Sequence, residues 1–393
     1  MKIAIFSDSV LPVINGVSIS VDALVQALRE YGHSVHIFGP SVGRKLDHDP
    51  NVVRFASLPL PNAKDVWIAY PPYLKTLRKF RRHQFDLIHT HTCGPIGFIG
   101  LRWAQSHEIP IVSTYHTLYD RYAHYFGMLP RRYVRFKIAK HTNFYYNSVQ
   151  AVITPSEASE KWLRRHSIDR PITVIPTGIK APIHYSREDV REQLGISPQF
   201  KVCLFVGRIA QEKNMGTLLK AFSLASQSDQ ELRLLVVGDG PYRERCIDMV
   251  RELNLGDRVT FTGFIDPALV GKYYTAADYF VFASQTETQG LVVNEALAHG
   301  LPTILVEGGG ASAMIQHNEN GLISNNTPES LSKNLLRAVT SESLSAKLSE
   351  GARATARKNG QAAMAQNVLN VYQSVLELNG SNPSPTLRIK TSV

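Results

Sequence analysis

Short apolar runs alternate with helix-period segments along this chain, and the alternation begins twice. KIAIFSD reads as a strand and leads into a loop holding Asn15 and Gly16. SISVDALVQALREYG then sets Val21, Leu24, Val25 and Leu28 on one helical stripe, which Gly32 ends. HSVHIFGP, NVVRFAS, FDLIHTHT, IPIVSTYHT, QAVITPS and PITVIPTG continue the first series, and KAPIHYSREDV reads as a linker. A second series opens on KVCLFVGRI and runs through LRLLVVGDG, RVTFTGF, DYFVFAS, LPTILVE and NGLIS. Strands separated by helices imply parallel sheets. The expected fold class is therefore α/β, with two Rossmann-like domains over residues 1–180 and 190–360 facing across a cleft. A last helix over 361–378 carries Val368, Leu369, Val371, Tyr372 and Val375 on an apolar stripe, and residues 379–393 read as a loose tail.

At 393 residues the chain can bury two separate cores, and its 44% hydrophobic content is that of an ordinary globular protein. It holds no run of ~20 apolar residues, the length a membrane-spanning helix needs. Its first residues read as a core strand and not as a secretion signal. Cys93, Cys203 and Cys246 share no metal-like spacing and read as buried thiols in a reducing compartment. Residues 1–180 hold 23 Lys+Arg against 12 Asp+Glu, a net of +11, and the rest of the chain carries −1, so the whole excess of +10 comes from that half. A one-sided basic field favours an anionic partner, whether membrane, nucleic acid or polyanion.

The chemistry-bearing residues gather at strand ends. Glu287 lies in the Thr- and Gly-containing loop after DYFVFAS, and Glu295 lies about one turn into the next helix. Thr288, Gln289, Gly290 and Leu291 would present backbone N–H groups there, and helix N-termini favour phosphate. Arg208 and Lys213 follow the strand KVCLFVGRI, where two cations can grip a diphosphate. His116 ends the strand IVSTYHT, and His89 and His91 alternate in LIHTHT with no third metal ligand evident. Asp47-His48-Asp49 reads as a solvated loop. Gly238 and Gly240 give a G-x-G in which Arg243 occupies the third glycine's place, which disfavours a nicotinamide oxidoreductase.

Two basic, aromatic clusters punctuate the first half. In PPYLKTLRKFRRH, the residues Tyr73, Leu74, Leu77 and Phe80 share a helical face, with Lys75, Arg78, Lys79, Arg81 and Arg82 around it. The second cluster mixes Tyr122, Tyr125, Phe126, Met128 and Leu129 with Arg131, Arg132, Arg135, Lys137 and Lys140. Such segments suit either an interfacial helix on an anionic membrane or a core-facing helix with a solvated basic face. No nucleic-acid recognition motif accompanies the charge.

These motifs resemble the retaining glycosyltransferases of family four, which have the GT-B fold. The resemblance covers residues 1–375 and rests on E-x7-E (Glu287 to Glu295), G-R-x4-K (Gly207 to Lys213) and the loop with Gly16. It implies that Arg208 and Lys213 bind the donor diphosphate, that Glu287 meets donor-sugar hydroxyls and that Glu295 meets the ribose. It places His116 near the donor sugar and lets the Gly16 loop approach the phosphates. It implies metal-independent catalysis without a cofactor, and return of the last helix to the first domain. TYHTLYDRYAHY and SDSVLPVINGV further resemble bacterial diacylglycerol glycosyltransferases, and related mannosyltransferases share much of the pattern. The expected activity is hexose transfer, glucose first, from a nucleotide sugar (UDP-hexose before GDP-hexose) to a membrane lipid. The expected setting is the cytoplasmic face of the cell membrane. A GDP-mannose-dependent enzyme with a soluble or polyisoprenoid-linked acceptor is the alternative within the class. A non-catalytic polyanion-binding module is the alternative outside it.

Overall fold

The computed structural model describes residues 1–43, 49–60, 63–70, 73–116 and 130–380. The chain divides into two compact units, Met1–Gly178 with Gln361–Val393, and Ile179–Gly360.

Unit 1 contains strands β1 (Lys2–Phe6), β2 (Ser34–Pro40), β3 (Val52–Phe55), β4 (Ser57–Leu60), β5 (Ala63–Ala69), β6 (Leu87–Thr90), β7 (Ile111–Thr114), β8 (Ala151–Thr154) and β9 (Ile172–Val174). Its helices are α1 (Gly16–Glu30), α2 (Leu74–Arg81), α3 (Pro95–Ser106), α4 (Arg131–Asn147) and α5 (Glu157–Arg165). Seven strands form a parallel sheet in the order β3-β2-β1-β6-β7-β8-β9, while β4 and β5 make a separate antiparallel pair. The pleat of β1 separates two cores. Ile3 and Ile5 pack with Val21, Leu24, Val25 and Leu28 of α1. Ala4 and Phe6 face the other way, where Phe6 stacks on Phe38 at 4.5 Å and meets Trp103 edge-on at 5.6 Å.

Unit 2 contains α6 (Arg187–Gln193), β10 (Lys201–Val206), α7 (Met215–Ser228), β11 (Leu232–Val237), α8 (Arg243–Glu252), β12 (Val259–Gly263), α9 (Pro267–Ala276) and β13 (Tyr279–Phe282). It continues with α10 (Leu291–Ala298), β14 (Thr303–Val306), α11 (Gly309–Ser312), β15 (Gly321–Ser324), α12 (Pro328–Thr340) and α13 (Glu342–Lys358). Its six-stranded parallel sheet has the order β12-β11-β10-β13-β14-β15. This is the doubly wound order, which reverses direction between β10 and β13. Ligands of such sheets bind beyond the carboxyl ends of the two strands at that reversal. The strands β10 and β13 are almost wholly buried, as strands covered on both faces must be.

The final helix α14 (Gln361–Leu378) belongs to unit 1. Val368, Leu369, Val371, Tyr372 and Val375 complete the core begun by α1 and the Ile3 and Ile5 face of β1. All three cysteines are buried and none forms a disulfide.

Three sequence expectations change. The segment KAPIHYSREDV is not wholly linker, because α6 begins inside it at Arg187. Ser186 caps that helix, and Asp278 anchors it by accepting from Arg187 and from Arg191 Nη2 at 2.6 Å. Leu74 does not share the inward face of α2: Phe80 is buried, whereas Leu74 is 62% exposed. Asp49 is not simply solvated, since Arg29 pairs with it at 2.8 Å. Asp47 and His48 lie outside the described residues.

Candidate active site

The strand reversal in unit 2 determines which loops meet. β10 runs out into Gly207 and Arg208, and β13 runs out into Ser284 and the loop that carries Glu287. Gly207 has φ +147°, so the chain leaves the strand through a conformation that side-chain-bearing residues rarely adopt. Arg208 is exposed, while its neighbours Ile209 and Ala210 are buried. Ile209 is pinned by its N–H to the Asp239 carbonyl at 2.9 Å. The short turn Gln211–Lys213 then returns Lys213 toward the β13 loop, and its ammonium pairs with Glu287 Oε1. Asn214, in the left-handed region, braces this turn by donating to the Ala283 carbonyl at 3.2 Å.

Glu287 sits in the loop that joins β13 to α10. Its carbonyl accepts from Gly310 N–H at 2.7 Å, and Ser284 donates to its Oε1 at 3.2 Å. Gly290 has φ +79°, and a Cβ there would stand 3.0 Å from Ala311 Cβ. Glycine therefore both sets the turn into α10 and allows α11 to approach. The first turn of α10 carries no acidic residue and no side-chain cap of its own, so its amide donors face the loop that holds Glu287. Thr288 is half-buried and Gln289 buried in the approach, and Leu291 opens the helix.

Glu295 is the fifth residue of α10 and is partly buried. Tyr274 of α9 donates to its Oε2 at 2.7 Å. Desolvation pushes the Glu295 carboxyl above the ordinary glutamate range, and the Tyr274 hydrogen bond draws it partly back. The structure thus joins Lys213 with Glu287, and Glu295 with Tyr274. Neither pairing was predicted: KYYTAAD gives no signal that its second tyrosine points at a carboxylate, and spacing alone does not match Lys213 to Glu287.

In unit 1 the equivalent reversal lies between β1 and β6. Beyond β1, Asp8 accepts from Thr92 Oγ1 at 2.5 Å and from Ile96 N–H at 2.8 Å, so it caps α3. This acid was also missed in the sequence. Gly16 is the first residue of α1, with open space where a Cβ would stand. Asn15 caps that helix, accepting from Val17 and Ser18 N–H at 3.0 Å.

His116 follows β7, and its Nε2 lies 2.9 Å from His91 Nδ1. His89 is held between Tyr372 Oη at 2.6 Å and Thr114 Oγ1 at 2.7 Å. Among the described residues, no group of three His, Cys, Asp or Glu is arranged to hold a metal. Burial lowers His89 to about 3 and His116 to about 4, and it holds His91 well below the ordinary value of 6.5. The folded protein therefore keeps all three neutral near pH 7, whereas the unfolded chain protonates them as pH drops through 6.5. Since the unfolded state binds more protons, stability is full above that pH and falls on acidification. Melting curves should show Tm falling from about pH 6.5 toward about pH 4.5, with up to ~1.4 kcal/mol per pH unit for each histidine. A Tm that stays flat over that interval contradicts the assignment.

The basic residues fall on two surfaces of unit 1. Lys75, Arg78, Lys79, Arg81 and Arg82 are exposed on and just beyond α2. On α4, Arg132, Arg135, Lys137 and Lys140 are exposed, beside Tyr133 at 49% and Phe136 and Phe144 at 62% exposure. The opposite side of α4 buries Val134, Thr142, Tyr145 and Tyr146. Tyr122, Tyr125, Phe126, Met128, Leu129 and the Arg131 side chain lie outside the described residues.

Comparison with known proteins gives the family. Residues 14–181 match the model described as Glycosyltransferase Family 4, and residues 186–355 match Glycosyl transferases group 1. Alpha-monoglucosyldiacylglycerol synthase of Acholeplasma laidlawii is 32% identical over 392 residues, covering 96% of this chain and 98% of the relative. This chain belongs to glycosyltransferase family 4. The namesake synthase of Streptococcus pneumoniae is 35% identical to this glycosyltransferase over 320 residues, covering 77% of the chain and 70% of the relative. Sucrose-phosphate synthase of Thermosynechococcus elongatus has the same fold, with a TM-score of 0.79 at 25% identity, covering 96% of this chain and 100% of the other. The two parallel-sheet units of this family 4 glycosyltransferase are thus the GT-B fold.

Proposed function

We propose that this glycosyltransferase moves glucose from UDP-glucose, with retention of configuration, to diacylglycerol at an anionic membrane surface. The similarity to synthases named for that product, over 98% of one of them, carries the reading. The exposed aromatic and basic stripe of α4, with the basic face of α2, suits a protein that meets its acceptor in a lipid surface. No helix among the described residues is long and apolar enough to cross a membrane, so attachment from the cytoplasmic side would be peripheral.

In this mechanism Arg208 and Lys213 receive the donor diphosphate. Arg208 can bond two oxygens at once and Lys213 acts as a point charge. The first-turn amides of α10 add fixed donors. Together they stabilise the negative charge that grows on the diphosphate as the glycosidic bond breaks, which is the main protein contribution. The departing diphosphate then takes the proton of the attacking hydroxyl on the same face. Glu287 orients the sugar through its hydroxyls, and Lys213, which pairs with Glu287 in the free protein, is shared with the phosphates. Neutral His116 serves as a hydrogen-bonding partner for the sugar and not as a cation. Gly16 gives the first turn of α1 room for a ligand.

The surface claim has its own test. Binding to vesicles containing anionic lipid should exceed binding to neutral vesicles and weaken with salt, since each basic residue near the surface adds about 1 kcal/mol. The double variant Phe136→Ser with Phe144→Ser should release the protein from vesicles while lowering Tm only slightly. Both rings are 62% exposed, and among the described residues only Phe144 of the two meets another ring, Phe98 at 6.3 Å. Equal binding to neutral vesicles would overturn the membrane role of this face.

A further inference from the structure

The contact between α9 and α10 is the least expected feature near the site. Tyr274 is 2% exposed, and its ring lies nearly parallel to His299 at 4.9 Å between centroids. His299 Nδ1 in turn meets the Glu295 carbonyl at 2.9 Å. The phenol and the imidazole therefore brace the side chain and the backbone of the same residue. The Tyr274 hydroxyl has two acceptors in reach, Glu295 Oε2 at 2.7 Å and the Val292 carbonyl at 3.2 Å. Its single proton goes to the ionised carboxylate, which is closer and charged. Among the described residues Glu295 Oε1 takes no hydrogen bond, so one oxygen is fixed and the other is open to a ligand.

A hydroxyl-binding carboxylate needs this arrangement. A glutamate side chain has three rotatable bonds, and leaving them mobile costs affinity when a ligand fixes them. A buried phenol that occupies one oxygen selects one rotamer in advance. We propose that Tyr274 is a positioning residue for nucleotide recognition: it holds Glu295 so that Oε1 meets the ribose hydroxyls, and it thereby sets the preference for ribonucleotides over 2′-deoxyribonucleotides. The proposal rests on the reading of Glu295 as the ribose contact, and its test separates the two.

Binding of UDP and 2′-deoxy-UDP, with the GDP pair in parallel, is measured by calorimetry on the full chain and on the Glu295→Ala and Tyr274→Phe variants. The unaltered protein should prefer the ribonucleotide, and Glu295→Ala should abolish the preference. Tyr274→Phe should reduce it by about 10-fold or more, the loss of one charge-assisted hydrogen bond. With saturating acceptor, Tyr274→Phe should raise KM for the nucleotide sugar more than it lowers kcat. If Glu295→Ala keeps the preference, the ribose reading fails. If Glu295→Ala abolishes it and Tyr274→Phe retains it in full, the ribose reading stands and the role of Tyr274 is overturned. Should Tyr274→Phe fail to fold, Glu295→Asp serves instead, because the shorter side chain cannot reach both the phenol and the ligand. An undiminished preference in Glu295→Asp overturns the proposal equally.

Discussion

Arg208→Ala is expected to lower turnover by about 10²–10³-fold, the loss seen when one donor to developing negative charge is removed. Tm should not move. Arg208 is exposed at the carboxyl end of β10, so its removal leaves no cavity and no buried charge without a partner. The backbone around it is held independently by Ile209 and by Gly207, whose N–H donates to the Val237 carbonyl at 3.0 Å. Arg208→Lys should recover only part of the loss, because an ammonium keeps the charge but not the two-pronged geometry. Near-native turnover in the alanine variant would remove Arg208 from the diphosphate site.

Glu287→Ala should cost a similar factor, about 10²–10³-fold in turnover, but with an opposite effect on nucleotide binding. In the folded chain Glu287 neutralises Lys213. Removing the carboxylate takes away a counter-charge that competes with the diphosphate for that ammonium, so free UDP should bind as tightly as before or more tightly. Turnover falls because the sugar loses the carboxylate that orients its hydroxyls. The split between tighter nucleotide and slower transfer separates a sugar-orienting role from a purely structural one. If UDP binding and turnover fall together and Tm falls with them, Glu287 is a structural partner of Lys213 and the assignment fails.

Much of this site was legible because local pattern encodes it. β10 and β13 are uninterrupted apolar runs that end at Gly207 and Ser284, and the doubly wound order brings those ends together. Gly290 marks the turn into α10 by itself, since few other residues accept its φ. The contacts that escaped prediction are all long in sequence. Tyr274 and Glu295 are 21 positions apart, Lys213 and Glu287 are 74 apart, and His89 meets Tyr372 across 283. Periodicity states which face of a helix is apolar, but not which carboxylate a buried phenol will meet. Leu74 shows the complementary error: its spacing places it with Leu77 and Phe80, yet it lies at the first position of α2, where the helix leaves the core. α6 was hidden because its short polar sequence, REDVREQ, is fixed by Asp278 on a distant segment and not by its own stripe.

The central claim is glucosyl transfer to a membrane lipid, and product analysis tests it most directly. The full chain is incubated with UDP-glucose and vesicles of anionic phospholipid containing diacylglycerol, and the lipid fraction is examined by mass spectrometry and by the anomeric proton coupling. The account predicts α-glucosyldiacylglycerol, formed by the unaltered protein and greatly reduced in Arg208→Ala. A β-linked product, or transfer only to a water-soluble acceptor with diacylglycerol left unchanged, would contradict it.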